Sequence, residues 1–246
     1  MGNLTGKVAI VTGSSRGIGR GIAERLGEDG ATVVVNYSGS EQEAKQVVEA
    51  IVAAGGKSVA IQASLSKVED IRRLFAETIQ HFGQLDILVN NAGTGVIGAI
   101  ADVTEDEYNK VFDLNVRGVL FALQEAARAM NDGGRIVNIS STTTIHPEAG
   151  MAVYAASKAA IKLFTAVLAR EVGARGITVN TVMPGPTIPG MFGNMPPEVQ
   201  QQAAASSPFH RVGTPQDIAD VVAFLVSEEA RWLTGQDICA NGGAKS

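Results

Sequence analysis

Residues 7–28 read KVAIVTGSSRGIGRGIAERLGE, from Lys7 through Gly13, Gly17, Gly19 and Gly21 to Glu28. Lys7–Thr12 is a short β-branched run of the kind expected of a buried strand. A glycine turn follows, and Gly21–Glu28 carries a helical pattern. Strand, glycine turn and helix together form an arrangement that binds a dinucleotide pyrophosphate. The glycines let the backbone approach, and the helix start offers free N–H groups and a positive dipole end. The spacing is GxxxGxG rather than GxGxxG, because position 22 is Ile. The turn residues Gly13, Ser15, Arg16, Gly17, Ile18 and Gly19 are therefore candidate cofactor ligands.

The second strand, Ala31–Tyr37, narrows the choice of cofactor. An acid near its end would hold a ribose 2′-OH. The chain instead reads Asn36, Tyr37 and Ser38 there, with Arg16 projecting from the glycine turn on the same side. A cation among neutral hydrogen-bonding groups suits a 2′-phosphate better than a free diol. The expected cofactor is NADP(H).

The same rhythm continues. Strands are expected at Lys57–Gln62, Asp86–Asn90, Arg135–Ser140, Ile177–Met183 and Asp237–Ala240. Helical patterns lie at Glu41–Ala54, Val68–Phe82, Thr104–Met130, Ala152–Val172 and Pro215–Ser227. This alternation predicts an α/β, doubly wound Rossmann fold: one domain over residues 1–246, with a seven-stranded parallel sheet and helices on both faces. After Met183 the rhythm breaks, and six of the eight prolines fall between Pro184 and Pro208. With Met191, Phe192, Met195 and Phe209, the segment at about 186–210 reads as an irregular lid over a substrate pocket.

A second motif carries chemistry. Tyr154-Ala-Ala-Ser-Lys158 opens a long helix and places Tyr154 and Lys158 one turn apart on one face. Tyr titrates near pH ~10, and a cation beside its oxygen would lower that value. Ser141, at the end of a strand, could hydrogen-bond a substrate oxygen next to the Tyr. The three groups suit proton transfer at a carbonyl or alcohol oxygen.

Composition sets the outer bounds. Charged residues make up only 18% of the chain and the net charge is −5, which argues against nucleic acid as the main partner. No apolar run reads as a membrane span and no signal pattern opens the chain, so a soluble, cytoplasmic protein is expected. With one Cys and three scattered His, nothing argues for a metal.

These residues resemble the short-chain dehydrogenase/reductase family from Lys7 to Gly243. The motifs come in the family's order: Thr12-Gly13-x-x-x-Gly17-x-Gly19, Asn90-Asn91-Ala92-Gly93, Asn115, Ser141, Tyr154-x-x-x-Lys158 and Pro184-Gly185. The resemblance implies Tyr154 as acid–base, Ser141 on the substrate oxygen, and Lys158 lowering the Tyr pKa and holding the nicotinamide ribose. It implies Asn115 as anchor of a proton-relay water. Asn91, Ala92, Gly93, Pro184 and Gly185 would line the cofactor. It also implies a homodimer or homotetramer assembled through helices that include Ala152–Val172. Three positions depart from the family's pattern. Ser64, beside Leu65, stands where an adenine-binding Asp is frequent. Pro189 stands where a Thr is frequent, with Thr187 a possible substitute. The tail reads Asn241-Gly-Gly where Asp-Gly-Gly is frequent.

The expected reaction is NADPH-dependent reduction of a free ketone, aldehyde or keto ester. A 3-oxoacyl-(acyl carrier protein) reductase is the first alternative, because the overall pattern is close to that group. Its acidic carrier would need a basic surface. Asn131-Asp132 argue against one, although Arg128, Arg135 and Arg175 lie near. A sugar or polyol dehydrogenase and a non-catalytic NADP(H) sensor are the other readings. His146, five residues past Ser141, faces either the pocket or solvent.

Overall fold

The structure is a computed structural model and describes residues 3–244. Seven strands form one parallel sheet in the order β3-β2-β1-β4-β5-β6-β7. They are β1 Val8–Val11, β2 Thr32–Tyr37, β3 Lys57–Gln62, β4 Ile87–Asn90, β5 Arg135–Ile139, β6 Thr178–Pro184 and β7 Asp237–Ala240. Val11 pairs with Val35 on one side and Val89 on the other, so the strand order reverses at β1. Loops after β1 and β4 diverge there and leave a crevice at the carboxyl ends of the strands.

Alternation along the strands builds two apolar layers. Ala9, Val11, Val33, Val35, Ile87 and Val89 face one layer. Ile10, Val34, Leu88 and Ile136 face the other. The helices α1 (Gly17–Glu28), α2 (Glu41–Ala53) and α8 (Pro215–Val226) cover the first face. The second is covered by α3 (Val68–Phe82), α5 (Val119–Ala129) and α6 (Ala152–Val172).

Three elements differ from the sequence expectation. First, α1 begins at Gly17 rather than Gly21. Second, the pattern over Thr104–Met130 is not one helix: α4 (Glu105–Phe112) passes through a π-helical segment, Asp113–Gly118, into α5. The wider turn carries Asn115 inward, and such segments recur at functional sites. Third, the proline-rich segment holds a 3₁₀ turn, Met191–Asn194, and α7 (Pro197–Ser206). Pro197 sits at the helix start, where its missing N–H does no harm. None of the residues of α7 is buried, so no apolar stripe announced it.

The segment that follows β6 is tied at its base. Ile188 N donates to Gly213 O (2.9 Å) and Gly213 N donates to Pro186 O (2.8 Å). Its start crosses the glycine turn, where a Cβ on Gly17 would stand 3.4 Å from Pro189 O.

Helix Ala152–Arg175 is long and apolar enough by length and composition to cross a membrane, contrary to the sequence expectation. Its inner face packs on the sheet through Ile161, Leu168, Ala169 and Val172, which marks it as a core helix. Its outer face keeps Leu163 and Val167 exposed.

Candidate active site

The glycine turn and the end of β4 are locked together. Thr12 Oγ1 accepts from the amides of Asn91 (2.9 Å) and Ala92 (3.0 Å). Asn91 Nδ2 donates back to the carbonyls of Thr12 (2.9 Å) and Gly13 (3.1 Å). Gly13 has φ +61, and a Cβ there would stand 2.9 Å from Ala92 Cα. Gly19 also needs the space, since a Cβ would collide with Asn91 Nδ2. The motif's glycines therefore let two strand ends meet, a requirement beyond ligand approach. Because α1 starts at Gly17, the amides of Gly17, Ile18 and Gly19 belong to its first turn and face the crevice end of the dipole. Ser15 is buried beneath the turn.

The group at the end of β2 divides. Asn36 was expected to contact the cofactor. Its side chain is instead buried: Oδ1 accepts from Gly13 N (3.1 Å) and Nδ2 donates to Ala63 O (3.1 Å) and Ile61 O (3.3 Å). It braces the glycine turn against β3. Tyr37 is also buried, with its ring in the core. Arg16 and Ser38 are exposed. Among the described residues, the Arg16 guanidinium makes no ion pair. A free cation at the start of α1, beside a strand end without an acid, is a place for an extra phosphate.

At β3, the Ser64 amide donates to Asp70 Oδ2 (2.9 Å), and its hydroxyl lies 2.9 Å from Ser66 Oγ. Leu65 is buried, and its carbonyl lies against Gly118. After β6, Gly185 N donates to Ala240 O (3.2 Å), which fixes Pro184-Gly185 to β7. Gly185 packs closely on Asn241, whose side chain folds the tail by donating to Ala244 O (2.8 Å). Thr187 is buried, and its hydroxyl donates to Gly185 O (2.9 Å). That donor is committed to the turn, which counts against Thr187 as a substitute for the hydroxyl that Pro189 lacks.

The four proposed catalytic side chains converge. Lys158 Nζ is buried, donates to Ile139 O (2.9 Å) and lies 5.9 Å from the Tyr154 ring centroid. Ser140 Oγ donates to Lys158 O (2.8 Å), which ties α6 to the end of β5. Asn115 Nδ2 donates to Thr94 O (2.8 Å) and Ser157 Oγ (3.0 Å), while its Oδ1 accepts from Thr94 N (2.9 Å). Gly93 lies between these groups, since a Cβ there would stand 3.2 Å from Lys158 Nζ and 3.3 Å from Asn115 Oδ1. Ser141 Oγ accepts from Thr143 N (3.2 Å) and Thr143 Oγ1 (3.0 Å). With both lone pairs used, the Ser141 hydrogen is turned toward the Tyr154 oxygen.

Burial acts on both titrating groups of the cluster. Burial raises the phenol above its usual value, and the Ser141 hydroxyl beside it acts in the opposite sense. Burial also pushes the Lys158 ammonium down to about 8. Tyr154 is thus a protonated phenol at neutral pH, the form that gives a proton rather than takes one.

Sequence reasoning missed the supporting residues. Thr12 was read only as a motif letter, and Thr94, Ser157 and Thr143 were not singled out. Each works through local polar contacts that carry no periodic signal. His146 is exposed, as one of its two readings had it.

Comparison with known proteins agrees with this geometry. A family model described as enoyl-(acyl carrier protein) reductase matches residues 13–245. An uncharacterized oxidoreductase of Methylorubrum extorquens is 47% identical, with all of both chains aligned. The hydroxynaphthalene reductase-like protein Arp2 of Metarhizium majus is 44% identical over 98% of this chain and 96% of its own. The crystal structure of the landomycin C-6 ketoreductase LanV, with bound NADP and rabelomycin, superposes with a TM-score of 0.91 at 42% identity, over 98% of this chain and 97% of that one. A parallel sheet reversing at β1, a glycine turn at its crevice, and a Ser, Tyr, Lys and Asn cluster beside it thus sit in a sequence alike from end to end: the chain belongs to the short-chain dehydrogenase/reductase family.

Proposed function

We propose that the protein is an NADPH-dependent reductase of free ketones, with Tyr154 as general acid. The observation that carries this reading is the buried Tyr154 phenol hydrogen-bonded to a Ser141 hydroxyl that Thr143 holds in place. Two donors aimed at one oxygen stabilise charge developing on a carbonyl being reduced. NADPH, when bound, supplies the hydride. The first-turn amides of α1 would hold its pyrophosphate, Arg16 and Ser38 its 2′-phosphate, and Lys158 the ribose next to the nicotinamide. Asn115, Thr94 and Gly93 line the route by which Lys158 is reprotonated. The segment over residues 186–210 acts as the lid, closing above the glycine turn and Tyr154. The names of the relatives, a hydroxynaphthalene reductase-like protein and a ketoreductase crystallised with rabelomycin, support a fused-ring aromatic ketone as substrate.

The test is NADPH oxidation at 340 nm against fused-ring ketones, keto esters and an acetoacetyl thioester, with NADH in parallel. Turnover of free ketones with NADPH is expected. Turnover confined to the thioester would overturn the reading in favour of a carrier-bound substrate. The family model's description also names a carrier-bound substrate, although an enoyl one, reduced at a C=C bond rather than at a carbonyl. The basic side chains it would need are already engaged. Arg175 pairs with Asp132 (2.7 Å), Arg128 with Glu125 (3.3 Å), and the buried Arg135 with Glu228 (3.1 Å).

Cofactor preference gives a separate prediction. Arg16→Glu removes the free cation and places an acid near the 2′-position. Loss of one charge-assisted contact is worth about 1.5–3 kcal/mol. The NADPH-to-NADH ratio of kcat/KM is therefore expected to fall roughly 10- to 100-fold, with kcat on NADH kept. An unchanged ratio would exclude Arg16 from the 2′-phosphate site.

We also propose a homo-oligomer. Leu163 and Val167, one turn apart on α6, are 70% and 56% exposed, and Leu120 on α5 is 45% exposed. Such an apolar helix face suits a second copy. Light scattering is expected to show a dimer or tetramer, and Leu163→Glu with Val167→Glu to lower its mass.

A further inference from the structure

We infer that the C-terminal turn Asn241–Gly243 is the clasp of the lid, with Ser207 as its positioning residue, and that release of this clasp admits the cofactor. The inference rests on the lid reading above and not on the choice of ketone. No residue from Ile188 to Ser206 is buried, whereas Thr187 at one end and Ser207 at the other both are. The lid is therefore an unburied segment pinned at two points. Between them it folds on itself. Gln200 Nε2 donates to Met195 O (2.8 Å) and Gly193 O (3.2 Å), which joins α7 to the 3₁₀ turn before it.

Backbone pairing with Gly213 holds the near point. A side chain holds the far one. Ser207 is 3% exposed, although Ser206 and Pro208 on either side are exposed. Its hydroxyl donates to Gly242 O (2.8 Å) and accepts from Phe209 N (3.2 Å). The tail is shaped to receive it. Asn241 Oδ1 accepts from Gly243 N (3.2 Å) while its Nδ2 holds Ala244 O, so the chain turns back on itself. A Cβ on Gly242 would stand 3.1 Å from Ser207 Oγ, and one on Gly243 would stand 3.1 Å from Pro208 Cγ. Gly185, where the lid leaves β6, packs on the same Asn241. The Asn241-Gly-Gly motif thus meets both ends of the lid in one turn.

The clasp has a fixed post beyond it and little behind it. Arg211 is bolted to α8 by two hydrogen bonds to Asp217 (2.7 and 2.8 Å). His210, between post and clasp, takes φ +53, an uncommon conformation for a residue with a side chain. A cavity of about 250 Å³ lies behind, bordered by Phe209, Val221, Ala240 and Gly242. With a cavity there rather than packed side chains, the Ser207 hydroxyl is the main restraint on the lid's far end. Segments with so little burial open locally, well short of global unfolding. The lid's start crosses the glycine turn at Gly17, so a pyrophosphate reaches the α1 amides only when the segment lifts.

The experiment compares wild type, Ser207→Ala and Ser206→Ala. Ser206 is the control, because its exposed hydroxyl donates to Ala203 O (2.8 Å) within α7. Two quantities are read: amide hydrogen exchange over residues 191–206, and the association rate of NADPH by stopped-flow fluorescence. Loss of one hydrogen bond shifts an opening equilibrium about 3- to 10-fold. Ser207→Ala is expected to speed both by roughly that factor, with Ser206→Ala at the wild-type rates. Exchange unchanged in Ser207→Ala, or raised equally in Ser206→Ala, would overturn the clasp. Faster exchange with unchanged NADPH association would overturn its hold on cofactor entry. Neither quantity requires turnover, so a wild type that reduces no ketone would sink the ketone reading and leave the clasp to be decided by these rates.

Discussion

Tyr154→Phe is expected to lower kcat for ketone reduction by about 10²–10⁴-fold, the usual worth of a positioned proton donor. The substitution removes one oxygen and keeps the ring, so the packing of Gly95 on that ring stays in place. Burial holds the phenol above its ordinary pKa, and no base adjacent to it takes its proton at neutral pH. The proton is therefore present in the resting site and is lost outright in the variant. NADPH affinity, read by fluorescence titration, is expected to stay within a few fold, because the α1 amides and Arg16 are untouched. Retained turnover in Tyr154→Phe would remove Tyr154 from the mechanism. It would favour the non-catalytic sensor among the alternatives.

Lys158→Met is expected to inactivate the enzyme while making the fold more stable. Lys158 is buried, and its ammonium donates to Ile139 O at 2.9 Å. Burial holds its pKa at about 8, against an ordinary 10.5. Such a depression corresponds to about 3 kcal/mol of lost stability at neutral pH. Below pH 8 both folded and unfolded chains carry the proton, and the full penalty applies. Between pH 8 and 10.5 the unfolded chain holds a proton that the folded chain has released. Stability contributed by this site therefore rises with pH through that window and is lost as pH falls through about 8. Methionine fills the same volume without charge. Allowing about 1 kcal/mol for the hydrogen bond to Ile139, the net gain is about 2 kcal/mol, or roughly 4–8 °C in Tm for a chain of this size.

Activity moves the other way. The ammonium is the nearest cation to the Tyr154 ring, at 5.9 Å. Its removal is expected to cost about 10²–10³-fold in kcat, as for other preorganised charge stabilisers. In wild type the same charge predicts that reductive kcat/KM declines as pH rises through about 8. A Lys158→Met protein that melts lower than wild type would show that the ammonium is solvated rather than stranded.

Much of the site could be read from the chain because its chemistry depends on spacing. Tyr154 and Lys158 are one helical turn apart, and any helix through them places both on one face. The glycine turn sits between a β-branched run and an amphipathic helix, and that order recurs in a doubly wound sheet. Local residue types also showed the missing acid at the end of β2. What Asn36 touches was not legible: it lies between buried Val35 and Tyr37, and its side chain meets Gly13 and Ala63, which only the pairing of β1, β2 and β3 brings near. The bend at Asn115 was hidden because a π-helical turn has the composition of an α-helix. The helix α7 was hidden because it buries nothing.

Fold class, strand order of appearance, the glycine turn and the grouping of Ser141, Tyr154 and Lys158 were thus determined by the sequence itself, through period, punctuation and spacing. The direction in which Tyr154 and Lys158 are tuned was decided by tertiary structure alone. From adjacency, a cation should favour the phenolate. In the folded chain both groups are taken out of water, and desolvation raises the phenol and lowers the ammonium.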